Sequence, residues 1–72
     1  MNEWQTRSKN LLKAELERKG LNYIDLVNLL EAIGISYTYK QVSSRIGRGT
    51  FSFEFFLQCM KAIGTTSIRL EY

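Results

Sequence analysis

Apolar residues recur along the chain at helical spacing, in groups divided by glycines. In the first group Trp4, Leu11, Leu12 and Leu16 stand at i, i+7, i+8 and i+12, which makes one inward stripe of a helix over about residues 3–19. Glu3 near the start and Arg18 and Lys19 near the end suit the helix dipole. Glu15 can pair with Lys19 at i+4, and Gly20 takes the position after the last turn. Asn22 caps a second helix over about 23–33, whose apolar set of Ile24, Leu26, Val27, Leu29, Leu30 and Ile33 is too broad for one stripe. A helix covered on two sides belongs near the centre, and Gly34 stops it.

The third group is nearly bare of apolar residues. Between Thr38 and Gly49 only Val42 and Ile46, at i and i+4, point to a core. Thr38 and Gln41 form a capping box that starts a helix over about 39–48, and Gly47 and Gly49 loosen and end it. Ser52 caps a last helix over about 53–63, with Phe53, Phe56, Met60 and Ile63 at helical spacing and Gly64 at its end. The phenylalanines at 51, 53, 55 and 56 are expected to pack, with Phe51 and Phe55 the candidates for exposure. Residues 67–72 then alternate polar and apolar with period two, which is the strand signature, although the chain offers no partner strand. The expected architecture is all-α: a compact four-helix domain over residues 1–66, followed by an extended tail or strand over 67–72.

Composition narrows the functions open to such a domain. Seventy-two residues give one domain, which buries roughly 60% of the surface its unfolded chain exposes. Ten cationic and seven anionic side chains leave a formal charge of +3, which permits nucleic-acid binding without requiring it. Placement says more than the total. Lys40, Arg45 and Arg48 fall in the stretch from Thr38 to Ser52, which contains no Asp or Glu. With no histidine, one aspartate and one cysteine, the chain lacks the nucleophile–base pairs and ligand clusters of enzymes and metal sites. No catalysis, cofactor, metal or small-molecule ligand is expected. Cys59 shares a face with Phe56, Met60 and Ile63, so it reads as a small core hydrophobe. The absence of a leader pattern and of an apolar run long enough to span a bilayer makes a cytoplasmic, membrane-free protein the default expectation.

The polar helix presents Tyr39, Lys40, Ser43, Ser44, Arg45 and Arg48, a set of donors, hydroxyls and an aromatic suited to a groove edge and its phosphates. Its ending, Ser44-Arg45-Ile46-Gly47-Arg48-Gly49, resembles the S-R-I-x-R-G stretch that closes the recognition helix of lambda-repressor-like (Xre/Cro-type) helix-turn-helix domains. The run from Ser52 to Gly64 is similar to the S-L-E-T-L-L-K-I-A-K-A-L-G helix that follows in that family. Asn22 to Leu30 resembles its first motif helix, with Leu26 and Leu30 at the L-x-x-x-L positions. Nearly the full length is also similar to a small bacterial family of domains of unknown function, which shares a Leu-Lys-Ala-Glu-Leu opening, an Arg-Gly-x-Phe turn and a Phe-Phe-x-Gln-Cys helix. The repressor-like pattern turns at glycine directly after its second leucine. This chain instead inserts Glu31-Ala32-Ile33 before Gly34 and continues through Ile35, Ser36 and Tyr37, close to one extra helical turn. Val27 stands where that family usually holds alanine, a branched side chain that needs the longer turn to make room for it.

The repressor-like resemblance implies a sequence-specific protein for double-stranded DNA, a small transcriptional regulator. Tyr39, Lys40, Ser43 and Ser44 would then read base edges, and Arg45 and Arg48 would lie near phosphates. The alternative is a protein–protein interaction module on the same scaffold that does not bind DNA. Modest charge, the altered turn and the aromatics Tyr37, Tyr39 and Phe51 favour it. The tail predicts a homodimer, in which Ile68, Leu70 and Tyr72 of two copies pair antiparallel on one buried face. The other course open to the tail is to fold back along its own helices or to fray.

Overall fold

Every helix of the domain begins at a side chain that accepts a hydrogen bond from its own first turn. The computed structural model describes residues 1–70 and contains α1 (Glu3–Arg18), α2 (Tyr23–Ala32), α3 (Tyr39–Arg48) and α4 (Phe53–Ile63). At α1 the Asn2 Oδ1 accepts from the Gln5 amide, and the Gln5 Oε1 accepts in turn from the Asn2 amide, each at 2.8 Å. Asn22 with Asp25 and Thr38 with Gln41 repeat the reciprocal box at α2 and α3. Ser52 Oγ caps α4 by accepting from the Phe55 amide at 3.0 Å. These bonds satisfy amides that no helical carbonyl can reach. The ends are equally local: Leu21, Ile35 and Thr65, each just after a glycine, donate back to the carbonyls of Leu16, Leu30 and Met60.

Helix α3 packs on α1 and α2, and α2 packs on α4. Leu12 and Leu16 of α1, Leu26 and Leu30 of α2, and Val42 and Ile46 of α3 meet Phe55, Phe56, Cys59, Met60 and Ile63 of α4 in one core. Gly49 closes α3 at φ 66° and is buried against α1, where a Cβ would collide with the Gln5 carbonyl. Glycine at that position therefore meets both a backbone requirement and a packing one.

The connection between α2 and α3 is held by packing at two positions. Ile35 and Tyr37 both lie against the core, as does Val27 of α2, so the connection is a structural element and not a loose loop. The radius of gyration, 11.4 Å, is close to the value of about 11 Å for a chain of this length folded to normal density.

Several expectations are corrected. Phe55 is almost fully buried and Phe53 is 72% exposed, the reverse of their expected roles. The buried face of α4 runs through 55, 56, 59, 60 and 63, and Phe53 stands a turn before that face meets the core. Phe51 is half-buried, its ring stacked on Phe56 at 6.4 Å. Trp4 stands 64% exposed, with the Arg7 guanidinium over its ring, instead of joining Leu11, Leu12 and Leu16. Ile24 on α2 and Ile33 just after it are exposed, and α2 fully buries Leu26 and Leu30 only. Glu15 is buried and pairs with Arg18 at 3.0 Å, not with Lys19. Among the described residues there is no strand. Ile68 packs against the core of its own chain, Leu70 is exposed, and Tyr72 lies outside the described residues.

Candidate nucleic-acid interface

The sequence of α3 divides it into an inward line and an outward one. Val42 and Ile46 are fully buried, and the helix is otherwise polar. Tyr39, Lys40, Arg45 and Arg48 are exposed, and Ser43 and Ser44 are half-buried. Lys40, Ser44 and Arg48 follow one another at i, i+4 and i+8, so they form a single ridge on the helix surface. Together with Arg45, that ridge lines an open groove of about 590 Å³ whose other wall is the link to α4, at Thr50, Phe51 and Ser52.

The groove contains hydroxyls, amides and three cations, and no carboxylate lines it. Among the described residues Lys40, Arg45 and Arg48 form no ion pair, whereas Arg7 and Arg18 of α1 are both paired, with Glu3 and Glu15. An anion entering here meets cations whose charge no acid has already offset. The cap of α4 also faces this groove at Ser52, although the Ser52 hydroxyl is committed to its own helix.

Arg45 is held more closely than its exposure suggests. Its guanidinium lies 5.0 Å from the centre of the Tyr37 ring and 5.6 Å from that of Phe55. Tyr37 meets Phe55 edge-on at 5.4 Å, and its hydroxyl donates to Gln58 Oε1 at 3.1 Å. A residue of the α2–α3 connection thus reaches α4 and supports a cation of α3.

Tyr39 lies on the other side of the helix. Its ring is 6.2 Å from that of Tyr23, and both line a second groove, about 640 Å³, with Lys13, Leu16 and Leu21. Burial, and secondarily the neighbouring Tyr39, raise the Tyr23 hydroxyl above its ordinary value. The tyrosine therefore stays neutral at physiological pH and adds no anion beside α3. Four of the six residues nominated from sequence, Lys40, Ser44, Arg45 and Arg48, come together around one groove, while Tyr39 faces another and Ser43 lines neither. Gln41, Thr50 and Ser52 complete the first groove without having been nominated. The capping roles of Gln41 and Ser52 were legible, but the place of Thr50 and Ser52 beside the cations depends on how the link to α4 turns.

The remaining chemistry is sparse. Cys59 is fully buried, and burial pushes its thiol up to about 12, so it is not a nucleophile near neutral pH. Among the described residues no group of His, Cys, Asp or Glu is arranged to hold a metal ion, and no helix is long and apolar enough to cross a membrane. Ile68 and Leu70, nominated for a dimer, line an apolar groove with Leu11, Phe51, Phe53 and Phe56.

Comparison with curated proteins and with solved structures gives no match. A family model described as a domain of unknown function, DUF6471, matches residues 4–68, which takes in all four helices but the first residue of α1 and reaches into the tail. The chain belongs to the DUF6471 family.

Proposed function

We propose that the protein binds double-stranded DNA through α3, as a small sequence-specific regulator, with α2, the lengthened connection and α3 serving as a helix-turn-helix unit of lambda-repressor-like type. The single observation that carries this reading is the acid-free groove in which Lys40, Arg45 and Arg48 stand without ion pairs among the described residues. Cations so placed lose little by leaving water for phosphate, because no existing salt bridge has to be broken. Ser44 and Gln41, between them, carry hydrogen-bonding groups suited to sugar, phosphate or base edges.

Binding of the purified chain to genomic DNA fragments at two salt concentrations tests the reading. Neutralising three phosphates per domain gives a slope of log K against log salt of about −2.7. Absence of binding at low salt, or binding that ignores salt, would remove the basis for it.

A second reading, a protein-interaction module, draws on a different surface. Phe53, Leu57 and Leu70 are each more than half exposed, an unusual cost for a domain this small. Of Tyr37, Tyr39 and Phe51, only Tyr39 is exposed, and Tyr37 and Phe51 are half-buried. A homodimer, which a regulator of palindromic sites would use, has Phe53 and Leu70 available for it, because Ile68 is engaged within its own chain. Sedimentation of the full chain beside Phe53→Ser separates the cases: a dimer that the substitution dissociates supports self-association, and a monomer at high micromolar concentration opposes it.

A further inference from the structure

We infer that Arg45 is a pre-oriented contact for a backbone phosphate of duplex DNA, and that Tyr37 and Gln58 are the positioning residues that hold it there. The inference rests on the DNA reading above and adds how one cation of the groove is set. A guanidinium is planar, its faces suited to aromatic rings and its N–H donors directed outward along its edge. Tyr37 and Phe55 take up the stacking side of Arg45, at 5.0 and 5.6 Å. Arg45 also lines the groove with Lys40 and Arg48, and no carboxylate among the described residues pairs with it.

The support is itself fixed. Phe55 is almost fully buried, and the Tyr37 ring meets it edge-on at 5.4 Å. The bond from the Tyr37 hydroxyl to Gln58 Oε1 ties the ring to the second turn of α4. A free surface arginine must give up rotamer freedom when it takes a phosphate, and a stacked one has given up much of it already. Lys40 has no such support, so the two cations differ in kind: Lys40 offers charge, and Arg45 offers charge in a set direction. The inserted Tyr37 is what makes the difference. An arginine held only for packing would predict none of the binding effects below.

Titration of the full chain into a fluorescent duplex of genomic sequence, at several salt concentrations, tests this with Arg45→Ala, Arg45→Lys, Tyr37→Ala, Tyr37→Phe and the double alanine variant. Arg45→Ala should weaken binding about tenfold, as for loss of one charge-assisted hydrogen bond, and flatten the salt slope by about 0.9. Arg45→Lys should keep the salt slope and recover only part of the affinity, because an ammonium does not stack as a plane. Tyr37→Ala should approach the Arg45→Ala loss, and the double variant should lose little more than either. Tyr37→Phe, which keeps the ring and removes only the bond to Gln58, provides a variant that folds should Tyr37→Ala not do so, and its affinity should fall between wild type and Tyr37→Ala. The Arg45 Nε–H proton resonance supplies a readout without DNA: ring currents should shift it upfield in the free protein. A wild-type chain that binds no duplex at low salt overturns the DNA reading and this inference together. A wild-type chain that binds, with Arg45→Ala unchanged, with losses at 37 and 45 that simply add, or with an unshifted resonance, overturns the inference alone.

Discussion

Helices α1 and α3 lie against each other and are both rich in charge, yet they use it in opposite ways. On α1, Arg7 pairs with Glu3 at 2.9 Å and Arg18 with Glu15 at 3.0 Å, each within about a turn of its own helix. On α3, Lys40, Arg45 and Arg48 have no acid on the helix and none across the groove. These four charges of α1 are settled locally and support the helix that carries them, while Lys9 and Lys13 form no ion pair among the described residues. Those on α3 form no ion pair, so apart from the stacking of Arg45 on Tyr37 and Phe55 the helix is held by Val42, Ile46, the Thr38–Gln41 box and Gly49. Stability and available charge are thus divided between different residues of one short helix. Changes that affect one should leave the other alone.

The largest effect is expected where the two helices touch. Gly49→Ala sets a side chain against the Gln5 carbonyl and at a positive φ, which together should cost about 2–5 kcal/mol. For a domain with about 5 kcal/mol in total this is enough to unfold it. Gly47→Ala, within the same helix, meets nothing within 4 Å and has no positive φ, so it should stabilise by about 0.5–1 kcal/mol. Urea titrations followed by circular dichroism check the pair. Similar midpoints for both variants would mean that α1 and α3 approach less closely at Gly49 than a glycine requires.

The two glycines also mark how far the sequence could be read. Thr38, Gln41 and Gly49 give α3 its limits because capping is local, a matter of residues three apart. That Gly49 presses on Gln5 is a tertiary fact with no local signal. Phe53 and Phe55 show the same boundary: either fits a helical stripe with Phe56, Met60 and Ile63, and only the position of the core relative to the first turn of α4 chooses Phe55. Tyr37 and Gln58 stand 21 residues apart, so the support of Arg45 could not be seen in spacing. The cation-rich, acid-free character of the groove was legible in the run from Thr38 to Ser52, since excluding Asp and Glu is a property of sequence. Its second wall was not.

A middle-sized effect is expected from Arg18 on α1. Arg18→Ala leaves the buried Glu15 carboxylate without the partner that it meets at 3.0 Å, and should cost about 1–3 kcal/mol. DNA affinity and its salt slope should not change, because Arg18 lies outside the α3 groove. Chemical denaturation and DNA titration on the same preparation check both halves. A loss of affinity in a folded Arg18→Ala would show that the binding charge is not confined to α3.

Lys40→Ala and Arg48→Ala should behave in the opposite sense. Each should keep the unfolding midpoint within about 0.5 kcal/mol of wild type, as exposed substitutions do. Each should also flatten the salt slope of DNA binding by about 0.9. Ser44→Glu sharpens the point, because it gives α3 the arrangement of α1, an acid four residues before Arg48 and four after Lys40. Helix stability should rise by about 0.2–0.5 kcal/mol from the new pairs, while DNA binding falls sharply through repulsion of phosphate. A Ser44→Glu chain that binds as wild type does would break the link between unpaired charge and the proposed function.

The smallest effect is expected at the exposed end of α1. Glu3→Gln removes the carboxylate that pairs with Arg7, but both side chains are substantially solvated, at 64% and 39%. An exposed i,i+4 pair is worth only about 0.3–0.5 kcal/mol, and salt screens it. The substitution also gives up a negative charge in the first turn, where the helix dipole favours one, so the total should still stay below about 1 kcal/mol. The two contributions share a sign and a dependence on ionic strength, so the difference between Glu3→Gln and wild type should shrink as salt rises. Denaturation at low and at high salt measures that directly. Arg7 should not then begin to act as a DNA contact, because its guanidinium also lies over the Trp4 ring at 5.4 Å, on α1 and outside the groove. If Glu3→Gln instead steepened the salt slope of DNA binding, then pairing with Glu3 would be what keeps Arg7 from the DNA, and the contrast between α1 and α3 would be one of occupancy and not of position.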